Sequence, residues 1–110
     1  MYLIQEVIKL KEFDCNYNGK KVSIKFTHLS KMKMEDIGMQ QEAIYGSVVS
    51  ALAEIVQMKP NDQFVIIDKE AMSTTVCGVQ QCDDLFMVSV ITVVELSRTL
   101  VKEGQKVIAI

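Results

Sequence analysis

Asn18-Gly19 stands between two runs that alternate apolar and polar residues, Phe13 to Tyr17 before it and Lys20 to Phe26 after it. Asn-Gly in that setting is the strongest short-range hairpin signal, because a type I′ turn needs positive φ at both central residues. With those two residues as the loop, Tyr17 faces Lys20, Cys15 meets Val22 and Phe13 meets Ile24. Side chains alternate with period two, so Phe13, Cys15, Tyr17, Val22, Ile24 and Phe26 share one face. The other face pairs Asn16 with Lys21, Asp14 with Ser23, and Glu12 with Lys25. The last pair is of opposite charge and is worth roughly 0.2–1 kcal/mol. One register satisfies both faces.

The hairpin leads directly into a helix start. Ser30 can accept from the free N–H groups of a first turn, and Leu29 with Met34 would form a hydrophobic staple across it. Thr27 is the competing cap. Beyond it, Met34, Ile37, Ile44, Val48, Leu52 and Ile55 recur at spacings of one helical face. Gly38 and Gly46 interrupt a helix that otherwise runs to about Met58, with a kink or break expected near Gly46. Lys59-Pro60-Asn61-Asp62 stops it, since Pro60 lacks an N–H and pushes Lys59 out of the helical region.

Four further segments complete the chain. Residues 2–10 alternate as a strand would, but the apolar parity shifts at Phe13, so either a bulge re-aims the strand or two elements meet there. Phe64 to Ile67 and Ser73 to Val79 read as a hairpin closing over Asp68 to Met72, with a short helix capped by Asp68 as the alternative. In Leu85 to Glu103, β-branched density favours a strand, whereas Ser89, Thr92, Glu95, Arg98/Thr99 and Lys102 recur every three to four positions. We read that stripe as a helix, capped by Asp83 or Asp84 and ended by Gly104. Lys106 to Ile110 forms a final strand. The expected fold is one α+β domain over residues 1–110, in the order ββ-α-ββ-α-β, an antiparallel sheet covered by two helices.

A chain of 110 residues, 49% hydrophobic and 24% charged, is globular in composition. Its net charge of −2 gives no dominant electrostatic partner. Lysines do gather at Lys9, Lys11, Lys20, Lys21, Lys25, Lys31 and Lys33, but without arginine; they read as solubilising an edge ribbon rather than gripping nucleic acid. The apolar start is broken by Gln5, Glu6 and Lys9, so no signal peptide is expected, and Leu85 to Val94 is too short to cross a bilayer. Three cysteines, an odd number, suit a reducing cytoplasm.

Candidate chemistry is sparse. His28, the one histidine, could poise Cys15 or an aspartate, though a junction histidine more often packs or caps. Ser30-Lys31-Met32-Lys33 matches S-x-x-K by chance, without the size or companion motifs of those enzymes. A zinc site would need Cys77, Cys82, Cys15 and His28 at spacings that do not fit the usual pattern, and Asp83-Asp84 with Asp68 or Glu70 serves turns as readily as Mg²⁺. No metal or cofactor is expected. Seven methionines are present, and Met32, Met34 and Met39 crowd the helix start, where flexible thioethers suit a partner.

The order of a polar-edged hairpin, Leu29-Ser30 and a long helix, over about residues 13–57, resembles the opening of small phage tail-assembly chaperones. It departs from Phe64 onward, where strands are read. The resemblance implies an assembly protein of phage or mobile-element type. With no credible catalytic set, and with more apolar surface than 110 residues readily bury, the first reading is a non-catalytic interaction or assembly module, a homo-oligomer or the partner of another protein, joined through the apolar second helix or a sheet edge. The alternative is a small-molecule or nucleotide-binding module, its pocket between sheet and helices reached from Asp68, Glu70, Gln80 and Gln81.

Overall fold

In the computed structural model, which describes residues 13–82, 85–99 and 101–110, Asn18 and Gly19 take φ values of 50° and 81°. The turn sets β1 (Phe13–Tyr17) antiparallel to β2 (Lys20–Phe26), with Phe13 opposite Ile24, Cys15 opposite Val22 and Tyr17 opposite Lys20. That is the expected register. Val22, Ile24 and Phe26 are buried, and Phe13, Cys15 and Tyr17 pack against the same core. The Glu12–Lys25 pair and the reading of residues 2–10 fall outside the described residues.

Thr27, not Ser30, caps the helix that follows, α1 (His28–Ile37): its side chain accepts from the Ser30 N–H at 3.1 Å. The Ser30 hydroxyl returns a bond to the Thr27 carbonyl at 2.8 Å, so Ser30 sits inside the first turn and is buried. Leu29 is 51% exposed and forms no staple. The helical stretch also breaks where the sequence reading did not place it. Gly38 adopts φ 72° and ends α1, whereas Gly46 lies within α2 (Gln41–Ser50). A second break at Ala51, with φ −101° and ψ 3°, separates α2 from α3 (Leu52–Ile55). The apolar stripe survives both breaks: Met34, Ile44, Val48, Leu52 and Ile55 are all at most 2% exposed.

Two strands then form the expected hairpin, β3 (Gln63–Asp68) and β4 (Ser73–Cys82), paired from Gln63–Gly78 to Asp68–Ser73. Within its loop Met72 takes φ 54°, and the Ala71 N–H donates to Asp68 Oδ1 at 3.1 Å.

The segment read as a second helix is instead a strand, β5 (Leu85–Glu95), followed by a 3₁₀ turn (Leu96–Arg98). It is also central: the sheet order is β1-β2-β5-β4-β3-β6, with β6 spanning Lys106–Ala109. β5 runs parallel to β2 and antiparallel to β4, and β6 runs parallel to β3. Among the described residues the sheet is thus mixed and six-stranded, with three α-helices in place of the expected two. The error has an identifiable cause. Val76 pairs with Thr92 but Cys77 pairs with Val90, so Ile91 is an extra residue in β5. A bulge of this kind shifts side-chain parity by one. Phe86, Val88 and Val90 face the helices before it, and Val93 does so after it. Ser89 and Thr92 then fall three apart on the opposite face, which imitates a helical stripe.

Gly38 and Gly46 give opposite predictions. Gly38→Ala forces a side chain into the left-handed region and lowers stability by about 1–2 kcal/mol. Gly46→Ala adds a Cβ into open space in a helix interior and raises stability by about 0.5–1 kcal/mol. Denaturant melts of the two variants, compared at equal m, check both signs.

Candidate functional site

The layer between helices and sheet is filled. Phe64, Ile66, Cys77, Val88, Val90, Ile44, Val48 and Ile55 are all 0% exposed. Besides Ser30 in the first turn of α1, polar groups gather in that layer under α2. There the Ser47 hydroxyl donates to Asp68 Oδ2 at 2.5 Å and lies 3.2 Å from the Ala43 carbonyl. Ser73, opposite Asp68 in the register, and Thr75, two residues on, point to the same face; both are 0% exposed, and their hydroxyls have no protein partner. Asp68 is therefore a structural acceptor: one oxygen holds α2 and the other closes the β3–β4 loop.

The four residues expected to reach a ligand are not brought together. Asp68 and Glu70 lie at the loop end of β4, Gln80 and Gln81 at the other. Seven residues of strand from Ser73 to Gln80 separate them by about 23 Å. Gln80 donates to Asn61 Oδ1 at 2.7 Å, beside a shallow depression of about 320 Å³ on the sheet face away from the helices. Gly78 and Ile91 help line it. At its rim Asp62 accepts from Lys106 Nζ at 2.7 Å and from the Lys59 N–H at 2.9 Å. These bonds, the lysine's first, hold its carboxyl below the usual range.

The three methionines occupy three environments. Met34 is 2% exposed, Met39 is partly buried against the core, and Met32 is 50% exposed. Met34 and Met39 border a second depression, about 450 Å³, between α1 and α2, together with Lys31, Glu35 and Gly38.

Cys15 and His28 are held apart. Cys15 lies opposite Val22, about 13 Å along β2 from Phe26, and exposed His28 lies beyond that end. Burial raises the Cys15 thiol, against a lowering side-chain hydrogen bond with Tyr45, and Asp14 raises it further. Tyr45 itself is raised, chiefly by burial, and its ring stacks on Phe13 with centroids 4.7 Å apart. The pair acts as part of the hairpin's packing. A raised pKa keeps a thiol protonated near neutrality, the reverse of what a nucleophile needs. Among the described residues no three His, Cys, Asp or Glu side chains gather as metal ligands, and no helix is long and apolar enough to cross a membrane.

Lys106 to Ile110 was expected to be a final strand; Lys106–Ala109 is one, and it forms the end of the described sheet. Val107 and Ile110 there are 42% and 38% exposed, and Val101, before the turn into β6, is 47% exposed. The signal was the apolar run Val107 to Ile110, which does not by itself distinguish an edge from a centre.

Comparison with protein-family models, with curated proteins and with solved structures finds no match.

The buried cysteine yields a pH prediction. Burial raises the Cys77 thiol far above its ordinary value of 9.0. Above about pH 9 the unfolded chain loses that proton while the folded chain keeps it, so stability falls as pH rises, by up to about 1.4 kcal/mol per pH unit for one proton. Cys15 adds a contribution of the same sign. Thermal melts from pH 7 to 10 are expected to show the fall beginning near pH 9, and Cys77→Ala to reduce its slope.

Proposed function

We propose that this chain is a small non-catalytic protein-protein interaction or assembly module that associates with copies of itself. The observation that carries the reading is the outer strand of the described sheet, β6, where Val107 and, just past its end, Ile110 are 42% and 38% exposed. Single exposed apolar side chains are ordinary, but a strand at the end of a sheet that carries them invites another chain. Leu29 and Met32, one turn apart on α1, are both about half exposed and offer a second apolar surface.

Association through an apolar second helix is not part of this reading, because residues 85–95 are a central strand. The non-catalytic part is supported by the separation of His28 from Cys15. A phage-type or mobile-element assembly role rests on the resemblance of residues 13–57 alone, and the helix in that resemblance is divided at Gly38 and Ala51. A small-molecule pocket between sheet and helices has little support, since side chains fill that layer.

Sedimentation velocity over a wide concentration range tests the proposal. The weight-average mass is expected to rise with concentration. A single monomeric species up to the highest soluble concentration would contradict it.

A further inference from the structure

The backbone of β6 carries more information than its exposed side chains. The Ile110 N–H donates to the Ile67 carbonyl at 2.9 Å, and β6 pairs in parallel with β3 from Phe64–Lys106 to Ile67–Ala109. Alternate residues of a strand turn their backbone groups to the same neighbour, so Lys106, Ile108 and Ile110 face β3. Val107 and Ala109 then direct their N–H and C=O groups away from β3, where no strand among the described residues pairs with them.

We infer that two copies of this chain join edge to edge through β6, antiparallel, about a two-fold axis at Ile108. This rests on the self-association proposed above and specifies its surface and register. In an antiparallel ladder every second opposed pair exchanges both of its hydrogen bonds. A two-fold axis at Ile108 sets Val107 opposite Ala109 of the second copy and Ala109 opposite its Val107. All four outward N–H and C=O pairs are then satisfied by four hydrogen bonds, with no other sequence needed. The contact is isologous and closes at two copies.

The side chains agree with this arrangement. On the sheet face away from the helices, the larger Val107 meets the smaller Ala109 of the second copy. On the helix face Ile108, 7% exposed and part of the core, meets its own counterpart across the axis and continues the apolar layer. The usual guards of a free edge are proline, a bulge or a lysine free to sweep over it. β6 has neither of the first two, and its one lysine, Lys106, is tethered to Asp62 of its own chain at 2.7 Å. The opposite edge, β1, places the charge of Asp14 at the seam. A four-residue seam buries less than the roughly 1,200 Å² of a stable complex, so the dimer is weak and concentration-dependent.

The test uses the full chain in two variants, Val107→Cys and Ala109→Cys, each at an edge position where folding is retained. Circular dichroism verifies that retention. An equal mixture of the two, oxidised gently at high micromolar concentration, is expected to give several-fold more disulfide-linked dimer than either variant alone, with the wild type as the background from its native cysteines. The single variants cross-link poorly because Val107 is two positions from its own counterpart. If sedimentation shows association but the mixture cross-links no more than the single variants, this register is overturned and the functional proposal stands. If the chain is monomeric at that concentration, both fall.

Discussion

The junction between Thr27 and the bulge in β5 fixes how the two halves of this protein meet. The Thr27 N–H donates to the Val90 carbonyl at 3.1 Å, and its hydroxyl donates to the Ile91 carbonyl at 2.8 Å. The same hydroxyl oxygen accepts from the first turn of α1. One side chain therefore ends β2, starts the helix and ties both to the central strand. Ile91 is the residue outside the β4–β5 register, so the bulge leaves its carbonyl placed for Thr27. Without that junction, the parallel pairing of β2 with β5 would have no anchor where the chain leaves the sheet.

From this junction the packing follows. The bulge turns Val93 to the helix side after Phe86, Val88 and Val90, which keeps a continuous apolar surface beneath the helices along the whole of β5. Polar groups enter that layer where Ser47 and Asp68 bind each other, near Ser73 and Thr75. Asp68 is half-buried, and the serine bond satisfies one of its carboxylate oxygens while fixing α2 over the β3–β4 loop. Among the described residues the sheet then ends at β6.

Local chemistry was legible wherever one residue pair decides a conformation. Asn18-Gly19 admits only a narrow class of turns, and its register followed residue by residue. The apolar stripe from Met34 to Ile55 was legible too, because burial repeats at helical spacing even when the helix is divided. Which glycine divides it was not, since Gly38 and Gly46 differ only in the φ that tertiary packing imposes. Leu85 to Glu95 was misread because a bulge adds one residue to a period of two, and spacing alone cannot separate that from a helix. Its β-branched content was the better guide. The parallel β2–β5 and β3–β6 pairings have no local signature at all. For the same reason Asp68 and Gln80 looked close in sequence, whereas an extended strand holds them apart; and the edge position of Val107 depends on which strands its neighbours are.

Amide hydrogen exchange on the assigned chain tests the account at its centre. The amides of Val88 and Val90, in a strand paired on both sides, are expected to be among the slowest, exchanging only through global unfolding, with extended-backbone shifts from Phe86 to Val94. Helical shifts across that stretch, or exchange as fast as in the Lys69–Met72 loop, would contradict it.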